Sequence, residues 1–307
     1  RRLRRHGHRG RMSEDAVADV VADLQKIYGR WTRETTVQQM RADWDEAFAP
    51  RAKNWPIDRF AIGDMNAEWI AAPHTDATRA ILYLHGGGFR IGSIASHRDL
   101  IQRLSEAAQA RVLAIDYRLS PECLFPAPVD DALAAWRWLL EQGHAPARIA
   151  IAGDSAGGGL ALSLMLAARA KNLPLPCAAC LMSPWTDMTA SGATYETRAA
   201  RDPMHQRAMI LGMARGYLGK SGDARDPLAS PLFADLGGLP PLLIQCGGRE
   251  VILDDSCVLA ERARQAGVEV ELDLYEDMIH VFQTYAELPD AATALARAGA
   301  FLDRRFG

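Results

Sequence analysis

The residue with the clearest chemistry is Ser155, at the centre of the pentapeptide Gly153-Asp154-Ser155-Ala156-Gly157. An apolar stretch typical of a strand precedes it and one typical of a helix follows, which is the context that a GxSxG nucleophile requires. In such a turn the hydroxyl projects above the sheet, and the glycines leave room for the crowded backbone. The helix that begins here also points its N-terminal dipole at negative charge developing near the serine. The motif therefore predicts a nucleophilic serine.

A second motif, His85-Gly86-Gly87-Gly88-Phe89, comes directly after a predicted strand. Glycines at the carboxyl end of a strand leave backbone N–H groups free to face a ligand, and a tetrahedral oxyanion needs two or three such donors. We expect the N–H groups of Gly86, Gly87 and Ala156 to be the donors to this oxyanion. A phosphate loop is disfavoured, because no lysine followed by Ser or Thr completes that motif. His85 has a competing catalytic interpretation, but we expect it to pack and hydrogen-bond so as to hold the glycine loop.

A nucleophilic serine needs a base, and the chain order in enzymes built on this turn is serine, acid, histidine. Only His205 and His280 follow Ser155 in the chain. His205 lies in a polar segment before the next predicted strand. His280 comes after a predicted strand, where a loop can bring it to the serine. The order therefore predicts His280 as the general base.

The acid of such a triad should follow the predicted strand Leu242–Cys246. The loop after it offers Glu250, Asp254 and Asp255. Glu250 is preferred because it lies nearest the end of the strand. Asp254 is the alternative, although it or Asp255 would serve equally well as the N-cap of the following helix.

The rest of the chain is organised around these motifs. Strand and helix patterns alternate over residues 56–185 and again over 226–307, which predicts one mostly parallel sheet with helices on both faces. The alternation is absent from residues 12–55 and pauses over 186–225, although both pieces carry bulky apolar residues at helical spacing. We expect these two pieces to fold together as a helical cap or lid.

Composition limits the partners of this chain. Its 307 residues carry a net charge of −3, which argues against nucleic acid as a main partner. No apolar stretch is long enough to cross a bilayer, so no membrane partner is expected. The five cysteines are an odd number at low density, which favours free thiols in the cytoplasm over a disulfide framework. No ligand spacing points to a metal, and no cofactor is expected.

Residues 1–11 stand apart, with six arginines and no acidic residue. Met12 follows directly, so we interpret the segment as a disordered basic arm or as sequence added before a natural start. An arm that binds nucleic acid or a membrane is the alternative. The segment has no apolar core and is not expected to be a signal peptide.

The motifs together resemble a known family. Besides the two glycine motifs and the His280 segment, the chain contains DYRLSPE at 116–122, FPAPVDD at 125–131 and DPLASP at 226–231. In this order they are similar to the hormone-sensitive-lipase-like family of bacterial esterases, over residues 79 to 300 or so. The resemblance implies an α/β-hydrolase fold under a helical cap, and carboxylesterase activity on small-molecule esters without a cofactor. A homodimer is compatible with it.

The resemblance supports Ser155 and His280, with residues 85–87 as the oxyanion loop. Two positions depart from the family pattern: Glu250 stands where the family usually has aspartate, and Val281 follows the histidine where glycine is usual. The segment Arg118–Glu122 is expected to brace the glycine loop.

Two other functions remain open at the level of sequence. One is a small-molecule-binding protein that lost catalysis, against which the presence of His280 argues. The other is a hydrolase of amides or of specialised acyl groups, which would use the same triad. We expect Phe89, Trp185 and Phe282 to line the acyl and alcohol pockets. A pocket closed by a small helical cap predicts a preference for short to medium acyl chains.

Overall fold

The computed structural model describes residues 3–7 and 10–307. Across these residues, nine strands form one sheet in the order β1-β9-β8-β7-β6-β4-β5-β3-β2. The strands are β1 Leu3–His6, β2 Ile57–Ile62, β3 Met65–Ile70, β4 Asp76–Leu84, β5 Ala110–Ile115, β6 Ile149–Asp154, β7 Ala178–Met182, β8 Leu242–Gly247 and β9 Val270–Tyr275. Only β3 runs antiparallel to its two neighbours, so the predicted mostly parallel sheet is confirmed.

The α-helices of the described chain lie partly between these strands and partly in two segments outside the strand–helix alternation. They are α1 Gly10–Tyr28, α2 Val37–Phe48, α3 Ile94–Ala108, α4 Ala127–Glu141, α5 Ala156–Ala170, α6 Thr194–Thr197, α7 Arg207–Leu218, α8 Leu253–Gln265 and α9 Pro289–Asp303. None of the helices in the described part of the chain is long and apolar enough to cross a membrane.

Helices cover both faces of the sheet, and the side chains of each strand alternate between two cores. On β4, Leu82 and Leu84 pack with α4 and α5, whereas Ile81 and Tyr83 pack with α3 and α9. Because both faces are covered, the central strands are apolar at nearly every position. All six residues of β6 and all five of β7 are buried. The carboxyl ends of these strands therefore have rigid support.

The described part of the arginine-rich segment is not disordered, contrary to expectation. Leu3–His6 forms the edge strand β1, which pairs in parallel with β9. The outer edge of β9 offers unpaired backbone groups that an extended segment can satisfy. The His6 ring also stacks on Tyr275 with centroids 4.2 Å apart. Helix α1 begins at Gly10, ahead of Met12, and residues 1, 2, 8 and 9 lie outside the described chain.

The two segments outside the alternation lie on either side of the carboxyl ends of the strands. Helices α1 and α2 pack on the loop after β9, through contacts of Phe48 with Tyr285 and of Val20 and Leu24 with the same cluster. Helices α6 and α7 come from the segment between β7 and β8. Side chains of both segments face one cavity above Ser155.

Candidate active site

Ser155 occupies a strained turn between β6 and α5. Its φ of 52° and ψ of −121° belong to a region that residues with a side chain rarely adopt. The surrounding backbone is crowded: a Cβ at Gly153 would collide with the carbonyl of Gly157, and a Cβ at Gly157 with that of Leu84. The two glycines of the motif therefore allow the turn to sit directly against β4.

Three strand ends bring the predicted triad residues together. Ser155 follows β6, Glu250 follows β8 and His280 follows β9. The Oγ of Ser155 lies 2.8 Å from Nε2 of His280, and Nδ1 of His280 lies 2.8 Å from Oε2 of Glu250. Glu250 is fully buried and His280 is 4% exposed. This geometry lets the imidazole accept the serine proton while the carboxylate holds the Nδ1–H tautomer.

The second oxygen of Glu250 is held by groups that sequence reasoning missed. Ser183, at the end of β7, donates its hydroxyl to Oε1 at 2.6 Å, and the N–H of Gly247 donates to the same oxygen. Ser183 in turn accepts the N–H of Val281, the neighbour of His280, at 3.2 Å. The one available signal was a polar residue directly after a buried strand. Ser183 thus links the acid loop to the histidine loop.

The charges around His280 set its protonation. Burial by itself lowers the pKa of the imidazole, but the Glu250 carboxylate opposes this through its charge and its hydrogen bond. Asp202 and Asp154 act in the same direction, and the pKa of His280 ends above its ordinary value of 6.5. The site is therefore able to stabilise an imidazolium at His280, the species that a proton taken from Ser155 would produce.

The alternative acids are engaged elsewhere. Asp254 accepts the N–H of Thr194 at 3.0 Å. Asp255 accepts the N–H groups of Thr186 and Asp187 at 2.8 and 2.9 Å, and burial raises its pKa to about 8. These two carboxylates therefore organise the start of the segment between β7 and β8.

The alternative base, His205, approaches the site without joining the chain of hydrogen bonds. Its ring packs edge-on against His280, with centroids 4.7 Å apart. Burial first, and then the neighbouring His280, lower the pKa of His205 to about 4, so it stays neutral near pH 7.

One expected oxyanion donor is wrong. The N–H of Gly86 donates to Oδ1 of Asp154 at 3.0 Å and is turned away from the cavity. Gly87 and Gly88 line the cavity instead, with φ angles of 115° and 63°. Ala156 opens α5, where the first N–H groups have no partner within the helix. Sequence reasoning had not selected Gly88, because three consecutive glycines do not reveal which N–H groups face the substrate.

His85 lies beneath the glycine loop. Its Nδ1 lies 2.8 Å from the carbonyl of Gly86, and its ring stacks on Tyr117 with centroids 4.3 Å apart. Burial lowers the pKa of His85 to about 3, so the ring is neutral. Tyr117 also donates its hydroxyl to the His85 carbonyl at 2.6 Å, and Ser120 donates its N–H to the Phe89 carbonyl at 2.8 Å. The segment around Arg118–Glu122 thus contacts the loop from behind.

The cavity above Ser155 has a volume of about 320 Å³. The lining is mainly aromatic and aliphatic, from both outer segments and from the loop after β9: Tyr28, Trp31, Met40, Trp44, Phe48, Met204, Met209, Ile210, Met213 and Tyr285. Such a surface binds apolar groups and excludes water from the serine. Within the described chain, no group of three or more His, Cys, Asp or Glu residues could hold a metal ion.

Of the three side chains expected in the pocket, only Trp185 lines the cavity. Phe89 is turned into the protein and stacks on Tyr217, with centroids 3.9 Å apart. Phe282 is fully buried 4.7 Å from the ring of Tyr275. Both phenylalanines therefore anchor their loops. The helices of the two outer segments supply the apolar lining of the cavity in their place.

Comparisons with known proteins agree with this architecture. Residues 81–284 match the model of a family described by its α/β-hydrolase fold. An acetyl-hydrolase of Streptomyces hygroscopicus is 46% identical over 275 residues, or 88% of this chain and 91% of that protein. An esterase of Acinetobacter venetianus is 38% identical over 253 residues, or 82% of this chain and 83% of its own length.

Comparison with solved structures also identifies esterases as similar proteins. The crystal structure of an esterase from the bacterial hormone-sensitive lipase family superposes with a TM-score of 0.91 at 42% identity. The match covers 95% of this chain and 99% of that one. With its α/β-hydrolase fold and its esterase and acetyl-hydrolase relatives, this chain belongs to the hormone-sensitive-lipase-like family of bacterial esterases and is a carboxylic ester hydrolase.

Proposed function

We propose that Ser155, His280 and Glu250 are the catalytic triad of this carboxylesterase and that its substrates are small esters with short to medium acyl chains. The observation that carries the proposal is the unbroken series of hydrogen bonds from Ser155 through His280 to Glu250 at the base of an apolar cavity.

The geometry supports a two-step reaction through an acyl-enzyme. Ser155 attacks the ester carbonyl while His280 takes its proton, and Glu250 stabilises the resulting imidazolium. His280 then protonates the leaving alcohol, and a water molecule repeats the sequence on the acyl group. We assign the oxyanion to the N–H groups of Gly87, Gly88 and Ala156, since the N–H of Gly86 is already bonded to Asp154.

The size of the cavity supports the proposed chain length. We assign residues 12–55 and 186–225 to a cap over a core of residues 56–185 and 226–307, and cap side chains close the cavity at about 320 Å³. Each methylene buried there gains about 0.8 kcal/mol, but a chain that outgrows the cavity gains nothing further. An acetyl-hydrolase among the relatives is in keeping with a short acyl group.

We also propose that the protein works in the bacterial cytoplasm. All five cysteines are free thiols, as expected in a reducing compartment.

The test is hydrolysis of p-nitrophenyl esters from C2 to C16 by the wild type and by Ser155→Ala. We expect a maximum in kcat/KM at short to medium chains and a steep fall for long ones. Removing a triad member leaves only the roughly 10³–10⁴-fold catalysis over water that binding and the oxyanion donors supply. Circular dichroism checks that the variant is folded. Near-wild-type turnover by folded Ser155→Ala would refute the triad, and equal activity on C16 would refute the chain length.

A further inference from the structure

Asp202 is a buried carboxylate that the triad does not use. It lies between α6 and α7 and is 6% exposed. Its Oδ1 accepts the N–H groups of Met204 and His205 at 2.8 and 2.9 Å, and its Oδ2 accepts the N–H of Val251 at 2.8 Å. Within the described chain no arginine or lysine forms an ion pair with it. Three backbone donors therefore offset the cost of burying this charge.

The three donors belong to two parts of the site. Val251 directly follows Glu250 and is fully buried. His205 packs edge-on against His280 at 4.7 Å. One carboxylate thus ties the segment that carries α7 and much of the cavity wall to the loop that carries the triad acid.

We infer that Asp202 is a positioning residue that couples the cap to the triad. Its Oδ2 holds the Glu250 loop at the position from which the carboxylate reaches His280, and its Oδ1 holds His205 against the imidazole. Its negative charge also favours the imidazolium form. The inference rests on the proposed triad, and it adds that the cap must be seated for that triad to be aligned.

Several titratable groups face Asp202 and His280 and affect how the charge of Asp202 acts on the pKa of His280. His280 is surrounded by the carboxylates of Glu250, Asp202 and Asp154, and by the neutral ring of His205. From α1, Tyr28 faces Asp202, and burial followed by the Asp202 charge raises its pKa well above the neutral range. Of the groups named here, therefore, only His280 becomes positively charged between pH 5 and 8.

The test uses Asp202→Asn, which keeps the size of the side chain. The carboxamide can accept N–H groups on one side only, so at least one donor loses its acceptor. Misalignment of this kind costs on the order of 10- to 100-fold in kcat, and we expect a smaller change in KM for p-nitrophenyl acetate. The acidic limb of the kcat/KM profile should also move to lower pH, because a negative charge near His280 is gone. Asp202→Glu, which restores the charge, should return that limb towards the wild type.

Asp187→Asn is the matched control. Asp187 is 1% exposed in the same segment and accepts the N–H groups of Thr189 and Ser191 at 2.8 Å, but among the described residues its carboxylate, unlike that of Asp202, bonds to nothing in the loop that carries Glu250. We expect it to lower the melting temperature while kcat and the acidic limb stay near wild type. If Asp202→Asn behaves like this control, Asp202 is only structural and the inference is overturned.

Two further variants complete the experiment. If Asp202→Asn does not fold, Asp202→Ser replaces it, because a serine hydroxyl can still cap the N–H groups of Met204 and His205. The same loss of kcat and the same shift of the acidic limb are expected of it, and a wild-type profile would overturn the inference. Ser155→Ala, measured in parallel, separates the two claims: an active Ser155→Ala would refute the triad itself.

Discussion

At the scale of single residues, the two oxygens of Glu250 have different tasks. Oε2 orients His280 at 2.8 Å, while Oε1 is held by Ser183 at 2.6 Å and by the N–H of Gly247. A glutamate can do this because the turn after β8 folds it back towards its own strand, with the N–H of Glu250 bonded to the carbonyl of Gly247, the last residue of β8. The extra methylene relative to aspartate is therefore taken up by the loop.

The first prediction concerns the identity of the acid. Glu250→Gln should lower kcat by on the order of 10⁴, because the neutral amide no longer stabilises the imidazolium or enforces its tautomer. Asp254→Asn is the control, since the Asp254 carboxylate accepts the N–H of Thr194 and, among the described residues, bonds to no member of the proposed triad. Steady-state rates on p-nitrophenyl acetate decide between them. An inactive Asp254 variant beside an active Glu250 variant would reverse the assignment.

The second prediction concerns pH. Burial tends to lower the pKa of His280, but the carboxylates led by Glu250 raise it above 6.5. Protonated His280 cannot accept the serine proton, so kcat/KM should fall as pH drops through that raised pKa and stay level above it. A kcat/KM profile from pH 5 to 9 measures this. In Glu250→Gln the limb should lie at lower pH, and a wild-type profile that is flat between pH 5 and 8 would exclude His280 as the base.

At the scale of elements, the glycine loop depends on backbone conformations that other residues resist. Gly87 has a φ of 115°, and a Cβ there would collide with the carbonyl of Ile91. Ile91 also closes a turn with Gly87, because the N–H of Ile91 donates to the carbonyl of Gly87. The loop therefore aims its N–H groups only while this turn stays closed.

The third prediction follows from that turn. Gly87→Ala should lower kcat by on the order of 10²–10³, the cost of losing one oxyanion donor. Gly143→Ala is a matched control, because Gly143 also has a positive φ of 82° but has open space around its Cα. Both variants carry backbone strain, so their melting temperatures should both fall. Equal loss of activity in the two would mean that strain alone, and not the donor, explains the effect.

At the scale of the whole molecule, two segments far apart in sequence line the cavity that we propose limits substrate size. The rings of Trp31 and Trp44 face the cavity from one side, and Met209 and Met213 from the other. Met213 lies close above Gly88, at the end of the cavity near the oxyanion loop. Met209 is 40% exposed and lies at the mouth.

The fourth prediction uses that difference. Met213→Ala should lengthen the preferred acyl chain by about two carbons, since each added methylene that finds room gains about 0.8 kcal/mol, or roughly fourfold in kcat/KM. Met209→Ala, at the exposed mouth, should leave the preference unchanged. The C2 to C16 p-nitrophenyl series on both variants measures this. An unchanged optimum in Met213→Ala would place the acyl group elsewhere in the cavity.

Local sequence determined much of this protein. The alternation of apolar strands and helices predicted the mostly parallel sheet, because the periodicity of burial is a short-range property of each element. The serine turn could be predicted equally well from the sequence, since neighbouring glycines and the strand–helix boundary define it within a few residues. The order of residues in the chain then reduced the number of candidates for the base and for the acid. In the structure, His280 and Glu250 lie next to Ser155 in one series of hydrogen bonds.

Only the tertiary structure decided which groups line the cavity. Gly86 turns its N–H away because Asp154, 68 residues later, accepts it, and Phe89 turns inward because Tyr217 of α7 offers it a stacking partner. The strand at Leu3–His6 exists because β9 leaves an edge to pair with. Asp202 acquires its contact with Val251 only when the cap segment folds onto the acid loop. These choices depend on partners distant in the chain, whose positions follow from the packing of the whole molecule and not from any local pattern.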